Sequence, residues 1–223
     1  ANASHELRTP LTSIKGYVDT LREDLKQNRL AEAPKFMEIV SKNVDRLIFL
    51  VNDLLDLSTL ESGADLVRQP ISTTELTESV LRQLEPKRAV KKQIIDSQLM
   101  TDTVPADAQR LEQVLVNLVH NAIKYTPENA KISIIWEKVE GGVVLRVKDN
   151  GQGISLEHQA RLFERFYRVD AGRSRDQGGT GLGLSIVKHI MIKHGGSVRV
   201  QSGTGGGTEF ICFFPETSNV VKK

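Results

Sequence analysis

The chain has 223 residues, 39% apolar and 26% charged, with a formal net charge of +2 from 30 basic and 28 acidic side chains. That is enough for one or two packed domains under an ordinary charged surface, and it leaves no strong field to attract nucleic acid. The one cysteine, Cys212, excludes an internal disulfide, and no apolar run approaches the roughly 18 residues of a membrane span.

The chain opens on Ser4-His5-Glu6-Leu7-Arg8-Thr9-Pro10-Leu11. Residues four apart share a helix face, so His5 and Thr9 lie together, and Glu6 sits close enough to orient the imidazole or take its proton. Pro10 removes a helical N–H donor, which predicts a bend just after the cluster. A histidine beside a carboxylate is common on surfaces, so this string gains weight only from the clusters downstream of it. The lack of an opening methionine and the early position of His5 suggest a fragment of something longer.

Leu7, Leu11, Ile14, Val18, Leu21 and Leu25 recur at spacings of three and four, predicting an amphipathic helix. A second run through Phe36, Val40, Val44, Leu47, Val51, Leu54 and Leu57 predicts another. Pro34 suits its first turn and Gly63 its end. The second apolar stripe is too broad for one partner helix, so the hairpin is expected to form a four-helix bundle with a second copy. The alternative is a hairpin packed on its own downstream domain.

Beyond residue 64, strand and helix patterns alternate. Asp65 to Pro70 reads as a connector that can begin a strand, and Thr73 or Thr74 as the cap of a helix over Leu76 to Val90. Gln93 to Leu99 reads as a strand, Asp102 to Pro105 as a turn, and Asp107 as the start of a strongly periodic helix. Lys131 to Lys138 and Val143 to Lys148 form a hairpin across Gly141-Gly142. A short helix over Leu156 to Phe163 and another over Leu182 to His194 flank a polar loop, Asp170 to Gly179. Strands at Ser197 to Gln201 and Glu209 to Phe214 finish the pattern, and Cys212 reads as a buried strand residue. The expectation is an α/β sandwich with helices on one face of the sheet.

Four clusters carry chemistry. Asn117, Asn121, Lys124 and Tyr125 share one face of the helix from Asp107. The two amides can offer oxygen to magnesium, Lys124 can neutralise phosphate, and Tyr125 can lie against a base. Asp149-Asn150-Gly151-Gln152-Gly153 follows a strand, where glycines allow a tight turn and close ligand approach. Phe163-Glu164-Arg165-Phe166-Tyr167-Arg168 interleaves aromatic and basic side chains. Gly179-Thr180-Gly181-Leu182-Gly183 opens a helix whose N–H groups suit an anion. It lacks the Lys-Ser/Thr of a Walker loop and the spacing of a Rossmann fingerprint.

In this order the four clusters resemble the N, G1, F and G2 boxes of the histidine-kinase ATP-binding domain, the Bergerat fold shared with gyrase, mismatch-repair and heat-shock ATPases. The opening string resembles the phosphoacceptor box of sensor histidine kinases, within the phosphate-responsive and cell-wall-responsive groups. The resemblance implies a dimerisation and phosphotransfer hairpin over 1–63, a hinge over 64–70, an ATP-binding domain over 71–216 and a tail over 217–223. It implies that His5 receives the ATP γ-phosphoryl group, that Glu6 is its base and that Thr9 helps dephosphorylate a response regulator. Asn121, with Asn117, would hold Mg2+, Lys124 would meet phosphate, Tyr125 would face the nucleotide and Asp149 would read adenine. Gly151, Gly153, Gly179, Thr180, Gly181, Leu182 and Gly183 would shape the pocket, with Arg165 and Arg168 as weaker contacts and Asp170 to Gly179 as the lid. Expected partners are a second copy and a response-regulator receiver domain, in the cytoplasm, with a membrane-anchored parent, no membrane contact by this stretch and no nucleic acid. Rival readings are an ATPase that survives loss of His5 and a non-enzymatic dimerisation scaffold.

Overall fold

The computed structural model describes residues 3–63, 65–169, 179–203 and 205–216. Helix α1 spans Ala3–Lys26 and α2 spans Ala33–Glu61, 24 and 29 residues long, with Pro34 in the first turn of α2. They pack antiparallel. Glu6 meets Arg46, Ser13 meets Asn43, and Tyr17 lies 5.4 Å from Phe36 between ring centroids. Pro10 does not end α1. The helix continues through it, its ring is buried, and the Thr9 hydroxyl turns back to donate to the His5 carbonyl at 3.2 Å.

The α2 stripe divides between two tasks. Arg46, Leu50, Leu57 and Leu60, spaced at helical intervals, form its buried face. Val44, Ile48, Val51 and Leu55 stay exposed, as do Leu11, Val18 and Leu25 of α1. Within one chain the hairpin thus leaves an apolar face uncovered, as expected of a helix pair that completes its bundle with another copy.

The rest folds as an α/β layer. Strand β1 (Gln69–Ser72) pairs antiparallel with β3 (Thr103–Ala106) in a two-stranded ribbon. Strands β2 (Ile94–Met100), β4 (Lys131–Val139), β5 (Gly142–Asp149), β6 (Ser197–Ser202) and β7 (Thr208–Pro215) make a five-stranded sheet in the order β2-β4-β5-β7-β6. Within it β2 and β4 run parallel, and the other neighbours run antiparallel. Helices α3 (Thr73–Val90), α4 (Ala108–Tyr125) and α6 (Gly183–Lys193) cover one face, and α5 (Leu156–Gln159) is a single short turn. Ile132, Ile134, Trp136, Val143, Leu145, Val147, Phe210, Cys212 and Phe214 alternate along β4, β5 and β7 to build the core beneath the helices. The Trp136 indole N–H donates to Thr77 Oγ1 at 3.0 Å, so its buried polar edge is satisfied.

Three local expectations need correction. Asp102 to Pro105 is not merely a turn, because Thr103 begins β3 and pairs with Ser72. The α3 cap is Ser72, whose hydroxyl accepts from Glu75 N–H at 3.2 Å; Thr73 is buried and bonds to the Thr101 carbonyl at 2.5 Å instead. The helix expected over Leu156 to Phe163 stops at Gln159 and continues as turns. Cys212 is fully buried in β7, and burial pushes its thiol pKa upward, away from the reactive thiolate.

Candidate functional site

The site is built around the C-terminal turns of α4. Asp107 caps the helix by accepting from Arg110 N–H at 3.1 Å, and Leu111, Val114, Leu115, Leu118 and Val119 anchor it to the core. Its far end is gripped by two residues of the connection between α3 and β2. Lys91 Nζ donates to the carbonyls of Ile123, Lys124 and Thr126 at 2.9, 2.7 and 2.8 Å, and buried Gln93 donates to the Ile123 carbonyl and Thr126 Oγ1 at 3.0 and 2.7 Å. These bonds satisfy carbonyls that a helix end leaves unpaired, and a cation there suits the dipole. Neither role has a local sign in the sequence, where Lys91 and Gln93 read as ordinary turn and strand residues.

The polar face of α4 is thereby fixed. Asn117, Asn121 and Lys124 are half-buried on it, and Tyr125 is exposed at the end with Lys124 Nζ 4.8 Å from its ring centroid. Two glycines of the helix-opening cluster lie directly against this face. A methyl group on Gly183 would stand 2.7 Å from Asn117 Oδ1, and one on Gly179 would collide with Lys124 Nζ while lying 3.6 Å from the Tyr125 hydroxyl. Absence of a side chain at both positions keeps the approach to the amide and the ammonium open.

The β5 turn closes another side. Asp149 Oδ1 accepts from Gly151 N–H at 2.8 Å, and a methyl on Gly151 would stand 3.0 Å from Thr126 Cγ2. Burial raises the Asp149 pKa, opposed by backbone N–H bonds from Gly151 and Thr208. Gly153 adopts φ +76° and lies against Gly203 and Gly207 of the β6–β7 connection. The aromatic cluster reaches the same place through its backbone. Phe166 N–H donates to the Gly181 carbonyl at 2.9 Å, with Phe166 at φ +63° and Gly181 at φ +74°.

Electrostatically the surroundings of Lys124 are cationic. Burial first, and then Arg168, Arg46, Lys87 and Lys91, pushes the Lys124 pKa down to about 8. Among the described residues no carboxylate pairs with it. His120, next to Lys87 at 3.1 Å, is pushed down to about 4 by burial and then by Lys87 and Lys124. A pocket whose lysine is held partly against its charge is ready for an anion.

Other expected residues have different neighbours. Arg165 does not face this pocket; it pairs with Glu61 of α2, beside His189. The Thr180 hydroxyl donates to Asp53 Oδ2 of α2 at 2.6 Å while accepting from Leu182 N–H at 3.2 Å, and Leu182 itself is buried in the core. Arg168 acts on Lys124 and Tyr125 through its charge. Asp170 to Gly178, most of the expected lid, lies outside the described residues, as does the tail over 217–223.

On α1, His5 and Thr9 line an open, shallow depression with Arg8, Thr12 and Ser13. Glu6 does not hydrogen-bond the His5 ring. Its Oε2 accepts from Arg46 Nη2 at 3.2 Å. Asp56 of α2 accepts from Arg110 and Gln113 of α4 at 3.0 and 2.8 Å, so the two layers are joined by ionic and apolar contacts together. Arg46, Asp53 and Asp56 belong to none of the sequence clusters. Their one signal is that Arg46 and Asp53 occupy positions of the stripe defined by Leu50, Leu57 and Leu60, where an isolated charge needs a partner.

Among the described residues, no cluster of histidine, cysteine and carboxylate groups is arranged to hold a metal, and no helix is long and apolar enough to cross a membrane.

Residues 1–63 match the His Kinase A (phospho-acceptor) domain, and residues 106–218 match the histidine kinase-, DNA gyrase B-, and HSP90-like ATPase family. The phosphate regulon sensor protein PhoR of Pseudomonas aeruginosa is 38% identical over 225 residues, covering 96% of this chain and 48% of that protein. The sensor histidine kinase WalK of Bacillus subtilis is 37% identical over 219 residues, covering 96% of this chain and 36% of that protein. The chain thus spans about a third to a half of the length of the curated relatives it matches. Its fold is similar to that of the Acinetobacter baumannii histidine kinase AdeS, with a TM-score of 0.77 and 27% identity over 95% of this chain and 97% of that one. Histidine kinase ThkA, solved in complex with the response regulator protein TrrA, superposes with a TM-score of 0.71 and 28% identity over 96% of this chain and 60% of that one. The chain belongs to the histidine kinase family, joining a phospho-acceptor helical hairpin to an ATPase domain of the kind shared with gyrase B and HSP90.

Proposed function

We propose that this chain is the catalytic core of a two-component sensor kinase, which moves the γ-phosphoryl group of ATP to His5 and then to an aspartate of a response-regulator receiver domain. The observation that carries the reading is the convergence of Gly179 and Gly183 on Lys124 and Asn117, beside the Asp149–Gly151 turn, in the same chain as an exposed His5. Around the C-terminal end of α4 these residues offer hydrogen-bond acceptors at Asp149, an aromatic ring at Tyr125 and a cation at Lys124.

In the reaction, a ring nitrogen of neutral His5 forms the N–P bond as the bond from the γ-phosphorus to the bridging oxygen breaks. That electron pair leaves on ADP, and the imidazole proton passes to Glu6. Histidine suits this role because its ordinary pKa near 6.5 leaves it largely neutral above that pH. Lys124 offsets phosphate charge, Asp149 accepts from the adenine amino group, and Asn121 with Asn117 offers amide oxygens to Mg2+. The donor set fits that ion: magnesium takes hard oxygen ligands, few of them from protein, and the bare Gly183 backbone leaves Asn117 Oδ1 approachable. When bound, the ion would neutralise charge on the β- and γ-phosphate oxygens.

The exposed apolar face of α1 and α2 supports a homodimer, and the open depression at His5 supports docking of a receiver domain on the hairpin. Thr9 is assigned to the dephosphorylation of that partner, and the stretch between Leu60 and Pro70 to hinge motion of the ATP-binding domain. The chain works on the cytoplasmic side of a membrane-anchored parent.

The test is incubation with γ-labelled ATP and magnesium, comparing the native chain with His5→Gln. Label that resists base, is lost in acid and disappears in His5→Gln supports the reading. ATP turnover with no protein-bound label in either chain overturns it in favour of a simple ATPase.

A further inference from the structure

Buried arginines are costly, and Arg46 of α2 is 9% exposed. It occupies the same helix face as Leu50 and Leu57, where an apolar residue would pack without a desolvation penalty. Its partner is Glu6 on α1, reached across the hairpin at 3.2 Å, with the arginine and glutamate side chains 10% and 24% exposed. Glu6 is the residue next to His5. Arg46 Nε is buried with no hydrogen-bond partner among the described residues, so the guanidinium fork is only partly used. The charge of Arg46 also reaches Lys124 across the layer boundary, where it helps to depress the lysine pKa.

We propose that Arg46 is a positioning residue for phosphoryl transfer, anchoring the Glu6 carboxylate across the hairpin on the helical turn that carries His5. The proposal rests on the assignment of His5 as acceptor and Glu6 as its base. The contact is one Nη2–Oε2 bond, and a planar guanidinium fixes the direction of that bond better than a freely rotating ammonium does. Glu6 is on a helix and has several rotamers open to it; without Arg46 it would sample them and meet the imidazole proton less often.

The experiment measures initial rates of His5 labelling against ATP concentration in the native chain, Arg46→Gln, Arg46→Lys, Glu6→Gln and the Glu6→Gln/Arg46→Gln double variant. His5→Gln is the blank. The proposal expects Arg46→Gln to lower kcat tenfold or more with KM for ATP unchanged, and Arg46→Lys to recover part of that loss. In the Glu6→Gln background, Arg46→Gln should cost no more than about twofold, since its target is already gone. A full multiplicative loss in the double variant overturns the proposal, as does an effect confined to KM, which would place Arg46 in the nucleotide site instead. Faster labelling by Arg46→Gln also overturns it and makes the pair a brake. If Arg46→Gln does not fold, Arg46→Lys decides alone: a folded lysine variant at the native kcat overturns the requirement for the fork. Absence of His5-dependent label in the native chain would be a failure of the kinase reading itself, and is recognised before any Arg46 variant is compared.

Discussion

Replacing Lys124 with methionine should move two observables in opposite directions. The ammonium is held at a pKa of about 8, chiefly by burial and then by Arg168, Arg46, Lys87 and Lys91. The gap from an ordinary lysine value near 10.5 corresponds to about 3 kcal/mol of disfavoured charge, which solvent screening at this partly exposed site cuts to about 1–2 kcal/mol. Lys124→Met removes that cost and keeps the apolar stem, so without nucleotide the variant should melt about 2–8 °C higher. With ATP it loses a charge-assisted phosphate contact worth about 1.5–3 kcal/mol, so KM should rise about ten- to a hundredfold. Differential scanning fluorimetry with and without Mg-ATP, beside labelling kinetics, reads both effects. The pH dependence has a fixed sign. Phosphate favours the protonated lysine, whereas the free chain releases that proton above about 8, so ATP affinity falls as pH rises through about 8. In the free chain the unfolded state binds more protons between about 8 and the ordinary value, so this contribution to stability rises with pH there, and Lys124→Met abolishes the rise. A variant that melts lower without nucleotide and keeps the native KM refutes the assignment of Lys124 as the pocket's unneutralised cation.

Thr9→Ala should keep His5 labelling and lower the dephosphorylation of a phosphorylated receiver domain; its present bond to the His5 carbonyl is one that α1 can lose at a cost of about 1 kcal/mol or less. Unchanged regulator dephosphorylation would remove Thr9 from that role. Gly153→Ala should destabilise the ATP-binding domain by about 2–5 kcal/mol, combining the cost of a left-handed alanine at φ +76° with a methyl driven against the Gly203 carbonyl. A urea midpoint equal to the native one would contradict it. Acid should destabilise the free chain through two histidines. His194 accepts Asp107 N–H on Nε2 at 3.1 Å and places Nδ1–H on the Ile190 carbonyl at 2.8 Å, while burial lowers its pKa; His120 is held at about 4. The unfolded histidines protonate near 6.5, so the unfolded state takes up more protons from about 6.5 down towards 4, and stability falls across that window. Urea midpoints at pH 7, 6 and 5 check the slope, and a His120→Gln chain should show a shallower one.

The elements read well where local signals and tertiary demands agree. Asp107 followed by a steep apolar stripe predicts α4 and its cap, and the Asn117–Tyr125 face emerges with its spacing intact. Strand β3 is hidden because Asp102 and Pro105 look like turn residues; in the ribbon, Pro105 stands opposite Pro70, tolerable because an isolated pair leaves outward-facing N–H positions without a ladder partner. Thr73 passes for a cap because a threonine hydroxyl reads alike whether it turns to its own helix or to Thr101. The contacts between layers are illegible for a different reason. Thr180 and Asp53 lie 127 residues apart, and neither carries a local pattern naming the other. Arg165, grouped by sequence with the nucleotide boxes, likewise turns toward Glu61.

The position where α1 meets α2 has a consequence for background signalling. Glu6 is level with Arg46, so α2 runs on for about 22 Å past that point, and the α/β layer lies along this extension. Leu57 and Leu60, only 2% and 4% exposed, are sealed there. Stripping two leucines costs about 1.5–3 kcal/mol each, so a chain whose ATP-binding domain drifts off α2 without finding other apolar cover is on the order of one molecule in a hundred or fewer. On the proposed reading of the chain as a kinase core, the seam sets a threshold on spontaneous output. Polar substitutions at Leu57 or Leu60 would raise the leak without touching the pocket or the histidine.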